Sequence, residues 1–328
     1  MLKVGIVGMG HMGERHINNY KNIDNVEVGA VNDVRINELK NKFDLEGIKT
    51  YEKFDDLLND KDIDFVDICL PTFLHKEYTI KALDAGKHVI CEKPMAMNVE
   101  ECDAMIEAQK KSGRFLMIAQ CIRFWNEYEI LKDYVSKNKF GKLLSLYMLR
   151  ACQTPSWSWN NWLAQGSKSG GVILDLHVHD VDMVNYLLGT PKAVYSVGAN
   201  AIKDGEIDIL STQYLYDKDI VVTVDCNWVV EGGVGFEMSY RAYFEGGTII
   251  FSSKNNPKIT VYPKGKDPFV PELGTKNAYE KELSYFADCI EKGREPEIVT
   301  PQSARNTIRI VAAELKSIKS KEKVILKV

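Results

Sequence analysis

The chain is predicted to be α/β, with an N-terminal Rossmann parallel sheet and a C-terminal α+β domain built on a large, mostly antiparallel sheet. Three observations predict this. Short apolar runs alternate with amphipathic stretches up to about residue 122, the rhythm of a parallel sheet covered on both faces. From Ala193 to Phe251, β-type runs instead follow one another without helices. The length of 328 residues exceeds one ordinary core. The expected division is a dinucleotide-binding domain at 1–122 and a substrate-binding and oligomerisation domain at 123–328.

In the first part, strands are predicted at Leu2–Val7, Val26–Val31, Phe65–Cys69, His88–Cys91 and Phe115–Ala119. Helices are predicted at Met12–Tyr20, Ile36–Phe43, Leu74–Ala85 and Val99–Ser112, the last two stopped by Gly86 and Gly113. Then a helix is expected at Glu127–Ser136, a long loop at 154–170, and a helix at Val181–Leu188 ending before Gly189-Thr190-Pro191. The β-type runs are Ala193–Ala199, Ile209–Tyr216, Ile220–Val230, Phe236–Phe244 and Thr248–Phe251. Asp217-Lys218-Asp219 and Glu245-Gly246-Gly247 supply turns between them. Two helices, near 276–292 and 302–318, close the chain.

Composition narrows the class. Hydrophobic residues make up 45% and charged residues 27%, which suits a globular protein and not a disordered one. A net charge of −4 gives no reason to hold nucleic acid, whose affinity comes from paired phosphates. The basic run from Lys316 to Lys323 reads as a solvated helix end. Seven cysteines without a C-x-x-C pair suggest no disulfide framework and a reducing cytoplasm. No stretch reaches the roughly 20 apolar residues of a membrane span, and the start is too short and Gly-rich for a signal peptide.

Gly8-Met9-Gly10-His11-Met12-Gly13 is a G-x-G-x-x-G between a strand and a helix, with Asp33 twenty residues on at the end of the second strand. In that context the motif points to a dinucleotide. Gly8 allows a tight turn, Gly10 lets backbone N–H groups approach a pyrophosphate at the helix start, and Gly13 lets helix and strand pack closely. His11 and Met12 fill the motif's variable positions and join the expected cofactor set. A carboxylate at Asp33 accepts from both ribose hydroxyls and repels a 2′-phosphate, so NAD is favoured over NADP. Arg35 could partly offset that repulsion, which leaves NADP open. Asp33 also suits a helix cap, and the two roles are compatible.

Two further motifs carry chemistry. Glu92-Lys93-Pro94 follows a strand directly, at the carboxyl end where the cofactor crevice of a parallel sheet opens. Lys93 there could hydrogen-bond a substrate oxygen, although such a lysine taken alone is more often a surface residue. In Gly170–Asp182, a helix beginning near Leu174 would put Asp175 and His179 one turn apart on one face. A carboxylate beside an imidazole is acid–base equipment near neutral pH. The plainer reading is a first helical turn with capping acids and a solvated histidine.

Gly8–Gly13, Pro71-Thr72-Phe73-Leu74-His75, Glu92-Lys93-Pro94 and Asp175-x-x-x-His179 occur together in this order. The combination resembles the glucose–fructose oxidoreductase, inositol dehydrogenase and rhizopine-catabolism family over nearly the whole chain. The resemblance implies that Lys93 anchors the reacting oxygen, that Asp175 orients it or assists the base, and that His179 moves the proton. It also implies that Pro71, Thr72 and His75 line the cofactor cleft, with Glu92 beside the nicotinamide ribose and Gln120 near the nicotinamide. His177 stands where many members have Gly, and a second imidazole there would reshape the substrate pocket. The implied reaction is NAD(H)-dependent hydride transfer at a carbinol or carbonyl carbon of a sugar, sugar derivative or cyclic polyol.

Three of the five Trp lie at 157, 159 and 162. Trp162 and Arg123 are candidate substrate contacts; packing at a domain junction explains these aromatics equally well. A metal site at His177-x-His179 is disfavoured, because residues two apart on a helix diverge. A non-catalytic NAD-binding regulator and a glycoside-processing enzyme that uses bound NAD transiently stay as alternatives. The predicted sheet is expected to leave a face open, with Tyr240, Ala242 and Phe244 on it, through which a homodimer or homotetramer forms.

Overall fold

The computed structural model describes residues 1–201 and 207–326, which fold into two compact units. The first unit comprises Met1–Phe124, Trp157–Trp162 and Lys276–Arg305; the second comprises Trp125–Ser156, Leu163–Thr275 and Asn306–Val328. The chain therefore crosses between units more often than a single boundary at 122/123 allows.

The first unit is built on β1 (Leu2–Val7), β2 (Val26–Asn32), β3 (Lys49–Tyr51), β4 (Phe65–Ile68), β5 (His88–Glu92) and β6 (Leu116–Ala119). The order β3-β2-β1-β4-β5-β6 with all pairs parallel is that of a dinucleotide-binding fold, whose strand order reverses beside β1. Buried on both faces, β4 and β6 read as continuous apolar runs broken only by Asp67. The helix Val99–Ser112 has the predicted bounds, because Asn98 caps it by accepting from Glu101 N–H and Gly113 ends it at φ +66°. The helix predicted at Ile36–Phe43 stops at Leu39, where polar Lys40, Asn41 and Lys42 offer nothing to bury. The short β3 and the helix Phe54–Asn59 were not predicted. The helix Ala278–Glu291, expected in the second domain, belongs to the first unit. Its Phe286 ring meets Phe65 edge-on at 5.7 Å, and Asn277 at its cap donates to Asn19.

The second unit holds β7 (Leu143–Ala151), β8 (Ala193–Ala199), β9 (Ile209–Leu215), β10 (Val221–Asn227), β11 (Glu237–Phe244), β12 (Gly247–Ser252), β13 (Ile259–Pro263) and β14 (Val324–Ile325). Their order is β13-β12-β11-β7-β10-β9-β8-β14, antiparallel except between β7 and β10. β7 lies mid-sheet yet was not predicted, because Arg150 sits on its buried face and Leu144, at its irregular start, is exposed. That placement conceals the period of two.

One expectation is corrected. Tyr240, Ala242 and Phe244 lie on the covered face of the sheet. The Tyr240 ring packs 5.4 Å from Tyr128, and its hydroxyl donates to the Glu127 carbonyl. The helix Asn126–Ser136 takes up that face. The alternate residues face outward, and the exposed apolar side chains of the sheet include Tyr195, Val197, Val221 and Tyr243. Among the described residues no helix is long and apolar enough to cross a membrane, and the seven cysteines form no disulfide.

Candidate active site

In the first unit the glycine motif forms a backbone cradle. Gly8 has φ +93°, and a Cβ there would lie 2.7 Å from the Cys69 carbonyl oxygen. At Gly13 a Cβ would come within 2.0 Å of the Gly8 carbonyl oxygen, so no larger residue fits without moving backbone. Gly10 differs: nothing lies within 4 Å of a Cβ built on it. The helix His11–Tyr20 starts directly after it with no side-chain cap. Its first N–H groups are thus presented at an open surface, which suits an anionic phosphate.

Asp33 is buried at the end of β2. One carboxylate oxygen accepts from Met9 N–H at 2.9 Å, which ties the strand end to the glycine loop. The other accepts from Arg35 N–H at 2.8 Å, and Arg35 Nε stands 3.5 Å away. The acid thereby organises the turn after β2, the capping role expected of it. The segment Trp157–Trp162 belongs to this unit, with Trp157 against the His11 ring at 4.8 Å and the Arg35 guanidinium over Trp159 at 5.1 Å. Two of the three clustered Trp therefore pack against cofactor-loop residues; Trp162 is half-buried in the same segment.

At the carboxyl end of β5, Glu92 is buried and its Oε2 accepts from Lys93 N–H at 3.0 Å, while Lys93 is half-buried. His75 is buried with Nδ1 2.7 Å from the Pro94 carbonyl and Nε2 2.8 Å from the Leu70 carbonyl. Burial pushes its pKa down, against the pull of those two carbonyls. His75, expected to line the cleft, clasps the loops that carry Pro71 and Pro94. Thr72 is buried beside it in a short 3₁₀ turn, Thr72–Leu74. Gln120, after β6, is fully buried, and neither its amide nitrogen nor its oxygen has a hydrogen-bond partner among the described residues. Buried polar groups are nearly always paired, so this orphaned carboxamide fits a site completed by a polar ligand. Together with the open Gly10 backbone it satisfies what a nicotinamide dinucleotide requires. Arg123, a candidate substrate contact, is tied to residues of its own unit. Its guanidinium donates to the Ile298 carbonyl at 2.6 Å and to Ser303 at 2.7 Å.

The second unit sorts the acids and imidazoles of 175–182. Arg150 grips Asp180 with two bonds, at 2.9 and 3.0 Å, both side chains buried. Asp182 accepts from Thr307 at 2.9 Å. His177 turns inward, its Nε2 3.1 Å from Glu314 and 3.5 Å from the Tyr214 hydroxyl. His177, expected as a substrate contact, faces Glu314 and Tyr214 in the interior of this unit. Asp175 stays half-buried and His179 is 9% exposed. Asp175 lies near enough to Cys152 that, after burial, its charge helps push that thiol up to about 11. The helix starts differently from prediction: Ile173–His177 is π-helical and Val178–Leu188 is α-helical. π-Turns inside helices are frequent at functional sites. His177 and His179 do not join a metal-ligand cluster among the described residues.

A doubly wound sheet with an open glycine loop, a buried acid at the end of β2 and an orphaned amide is the arrangement of a dinucleotide-binding protein. Residues 2–120 match the model of the oxidoreductase family with an NAD-binding Rossmann fold, and residues 128–250 match the GFO/IDH/MocA C-terminal domain. The chain belongs to the GFO/IDH/MocA family of NAD-dependent oxidoreductases. It is 26% identical to the myo-inositol 2-dehydrogenase of Thermotoga maritima, over 99% of this chain and 98% of that one. It is 29% identical to the inositol 2-dehydrogenase of Salmonella typhimurium, over 90% and 88%. Its fold matches the aldose-aldose oxidoreductase of Caulobacter crescentus in complex with glycerol, with TM-score 0.88, 25% identity and 99% of each chain covered. A levoglucosan dehydrogenase in complex with NADH and levoglucosan shares the fold at TM-score 0.88 and 22% identity, over the whole of both chains.

Proposed function

We propose that this enzyme interconverts a ring carbinol and the corresponding carbonyl of a cyclic polyol, sugar or sugar derivative, using NAD(H). The observation that carries the reading is the sorting of residues 175–182. Asp180, Asp182 and His177 face partners inside the second unit, while Asp175 stays half-buried and His179 keeps 9% of its surface exposed, one helical turn apart. Near-full-length relatives that act on inositol support the substrate class.

NAD, when bound, accepts or supplies the hydride. The chain's own residues do the rest. Lys93 holds the reacting oxygen and steadies the negative charge that grows on it. His179 takes the hydroxyl proton in the oxidative direction and returns it in the reverse. Asp175 orients substrate or supports that proton transfer. The backbone from Gly8 to Gly13 binds the pyrophosphate, Asp33 the adenosine ribose, and the Gln120 amide the nicotinamide carboxamide. Because Asp33 would face a 2′-phosphate with like charge, NAD is preferred to NADP. Pro71 and Thr72 border the cofactor, and Trp162 is retained as a substrate-side contact.

The enzyme is further proposed to be a cytoplasmic homodimer or homotetramer, joined through the outward face that carries Tyr195, Val197 and Val221. A panel of inositols and aldoses with NAD, followed by NADH absorbance, tests the main reading. NADH accumulation on at least one ring polyol or sugar is the expected result. Consumption of a glycoside without NADH release would replace it with transient redox chemistry, and cofactor binding with no turnover on any member would replace it with a regulator.

A further inference from the structure

A buried line of alternating charge runs within the first unit from β4 to the Glu92–Lys93 turn. Asp67, in β4, is fully buried. Its Oδ2 accepts from the Tyr20 hydroxyl at 2.9 Å and lies 2.8 Å from His16 Nδ1, while the Cys69 thiol stands 3.4 Å from Oδ1. The other nitrogen of the same ring, His16 Nε2, is 3.1 Å from Glu92 Oε1, an ion-pair distance that falls off the hydrogen-bond line. Glu92 Oε2 then accepts from Lys93 N–H at 3.0 Å.

Burial alone would keep the His16 ring neutral, but the Asp67 carboxylate and Cys69 outweigh it and hold the pKa well above the usual range. The geometry agrees. A neutral imidazole has one N–H and one lone pair, and here each nitrogen faces a carboxylate. The groups around the ring are Asp67 and Cys69, Glu92 from β5, Tyr20 from its own helix, and Tyr279 at 6.1 Å between ring centres, with Glu282 beyond Tyr20. His16, Asp67 and Cys69 are metal-ligand types within reach of one another. Yet the 2.8 Å separation of Nδ1 and Oδ2, with Tyr20 donating to the same oxygen, is that of a cluster filled by protons.

We propose that His16 is a positioning residue that fixes the Glu92 carboxylate, and through it the Lys93 backbone, and so orients the nicotinamide half of NAD and not the adenine half. The carboxyl end of β5 lies beyond the strand-order reversal, on the side of the crevice away from Asp33 at the end of β2. A carboxylate there that accepts from backbone on one oxygen, and faces the His16 ring at 3.1 Å on the other, is held in one orientation at the end of β5. The inference rests on the reading of Lys93 as a residue of the reacting end, but its test uses no substrate, so it can fail or stand apart from that reading.

Two measurements decide it. Histidine ¹⁵N NMR of the native protein is expected to show His16 protonated on both nitrogens at neutral pH; a neutral ring would overturn the proposal. In Glu92→Gln the Nε2–H signal should move while the Nδ1–H signal stays; movement of neither would also overturn it. His16→Gln should weaken NADH binding by about tenfold and lower the fluorescence of bound NADH, while ADP, which lacks the nicotinamide half, binds as before. Equal losses of NADH and ADP affinity would mean a merely structural role, and no loss of NADH affinity would mean none. Should His16→Gln fail to fold, Glu92→Gln carries the same NADH-against-ADP comparison beside the NMR result.

Discussion

The carboxyl edge of the six-stranded sheet and the helix around His179 handle charge in different ways. At the sheet edge the carboxylates are held by backbone N–H groups, Met9 and Arg35 for Asp33 and Lys93 for Glu92. Lys93 N–H reaches the side chain of its own neighbour Glu92, and Arg35 N–H reaches Asp33 two residues back. Around His179, the side chains are engaged by partners far away in sequence: Arg150 for Asp180, Thr307 for Asp182 and Glu314 for His177. The first arrangement leaves polar groups facing outward for a ligand, as with the Gly10 backbone. The second engages the helix's buried polar groups with partners that only the fold brings to them. A cofactor site shared by many enzymes can be written in a short motif; an acid–base pair has to be isolated by the fold around it.

If that contrast holds, the two kinds of residue should fail differently when altered. The largest effect is expected at His179. His179→Ala should retain the fold and NADH binding and lower turnover by roughly 10²–10⁴, with the defect shrinking at high pH, where hydroxide and solvent take the proton. A pH–rate profile of the variant checks this, and a pH-independent defect would remove His179 from proton transfer. Next is Arg150→Met, which leaves Asp180 as an uncompensated buried charge. It should cost about 3–5 kcal/mol of stability, visible in denaturant unfolding; a loss of rate at unchanged stability would contradict the structural role. A smaller effect is expected at Asp33. Asp33→Ser should lower the preference for NAD over NADP by about tenfold, in line with the loss of one charged hydrogen-bond acceptor, as read by titration of both cofactors. Smallest is Val221→Glu on the outward face of the sheet. It should shift light-scattering mass toward the monomer without altering thermal stability, and a native protein that is already monomeric at micromolar concentration would remove the assembly proposal.

The same contrast explains what could be read from sequence. The Rossmann strands and the glycine loop were legible because apolar run length and glycine spacing are local signals. The helix at Val99–Ser112 was legible for the same reason, through Asn98 and Gly113. β7 was hidden because Arg150, an inward side chain on an apolar face, has its partner thirty residues away at Asp180. Tyr240, Ala242 and Phe244 were recognised as one face of a strand but assigned to the wrong side, since alternation gives the period and not the direction. His177 looked like a second imidazole for the pocket, and only the fold brings Glu314 to it. His16, three residues past Gly13, has no sequence signal of its own; its partners Asp67 and Glu92 come from separate strands. The helix Ala278–Glu291 was predicted in place, but its membership of the first unit depends on contacts such as Phe286 with Phe65.

The central claim is that Lys93 serves the oxygen that exchanges hydride-coupled charge at its carbon. Lys93→Met, assayed on whichever ring polyol or sugar reduces NAD with the native enzyme, tests it most directly. NADH binding, measured by fluorescence, should change little, while turnover falls by about 10²–10³, the usual cost of losing one preorganised donor at a developing oxyanion. Near-native turnover in Lys93→Met would contradict the assignment and move the chemistry elsewhere in the chain.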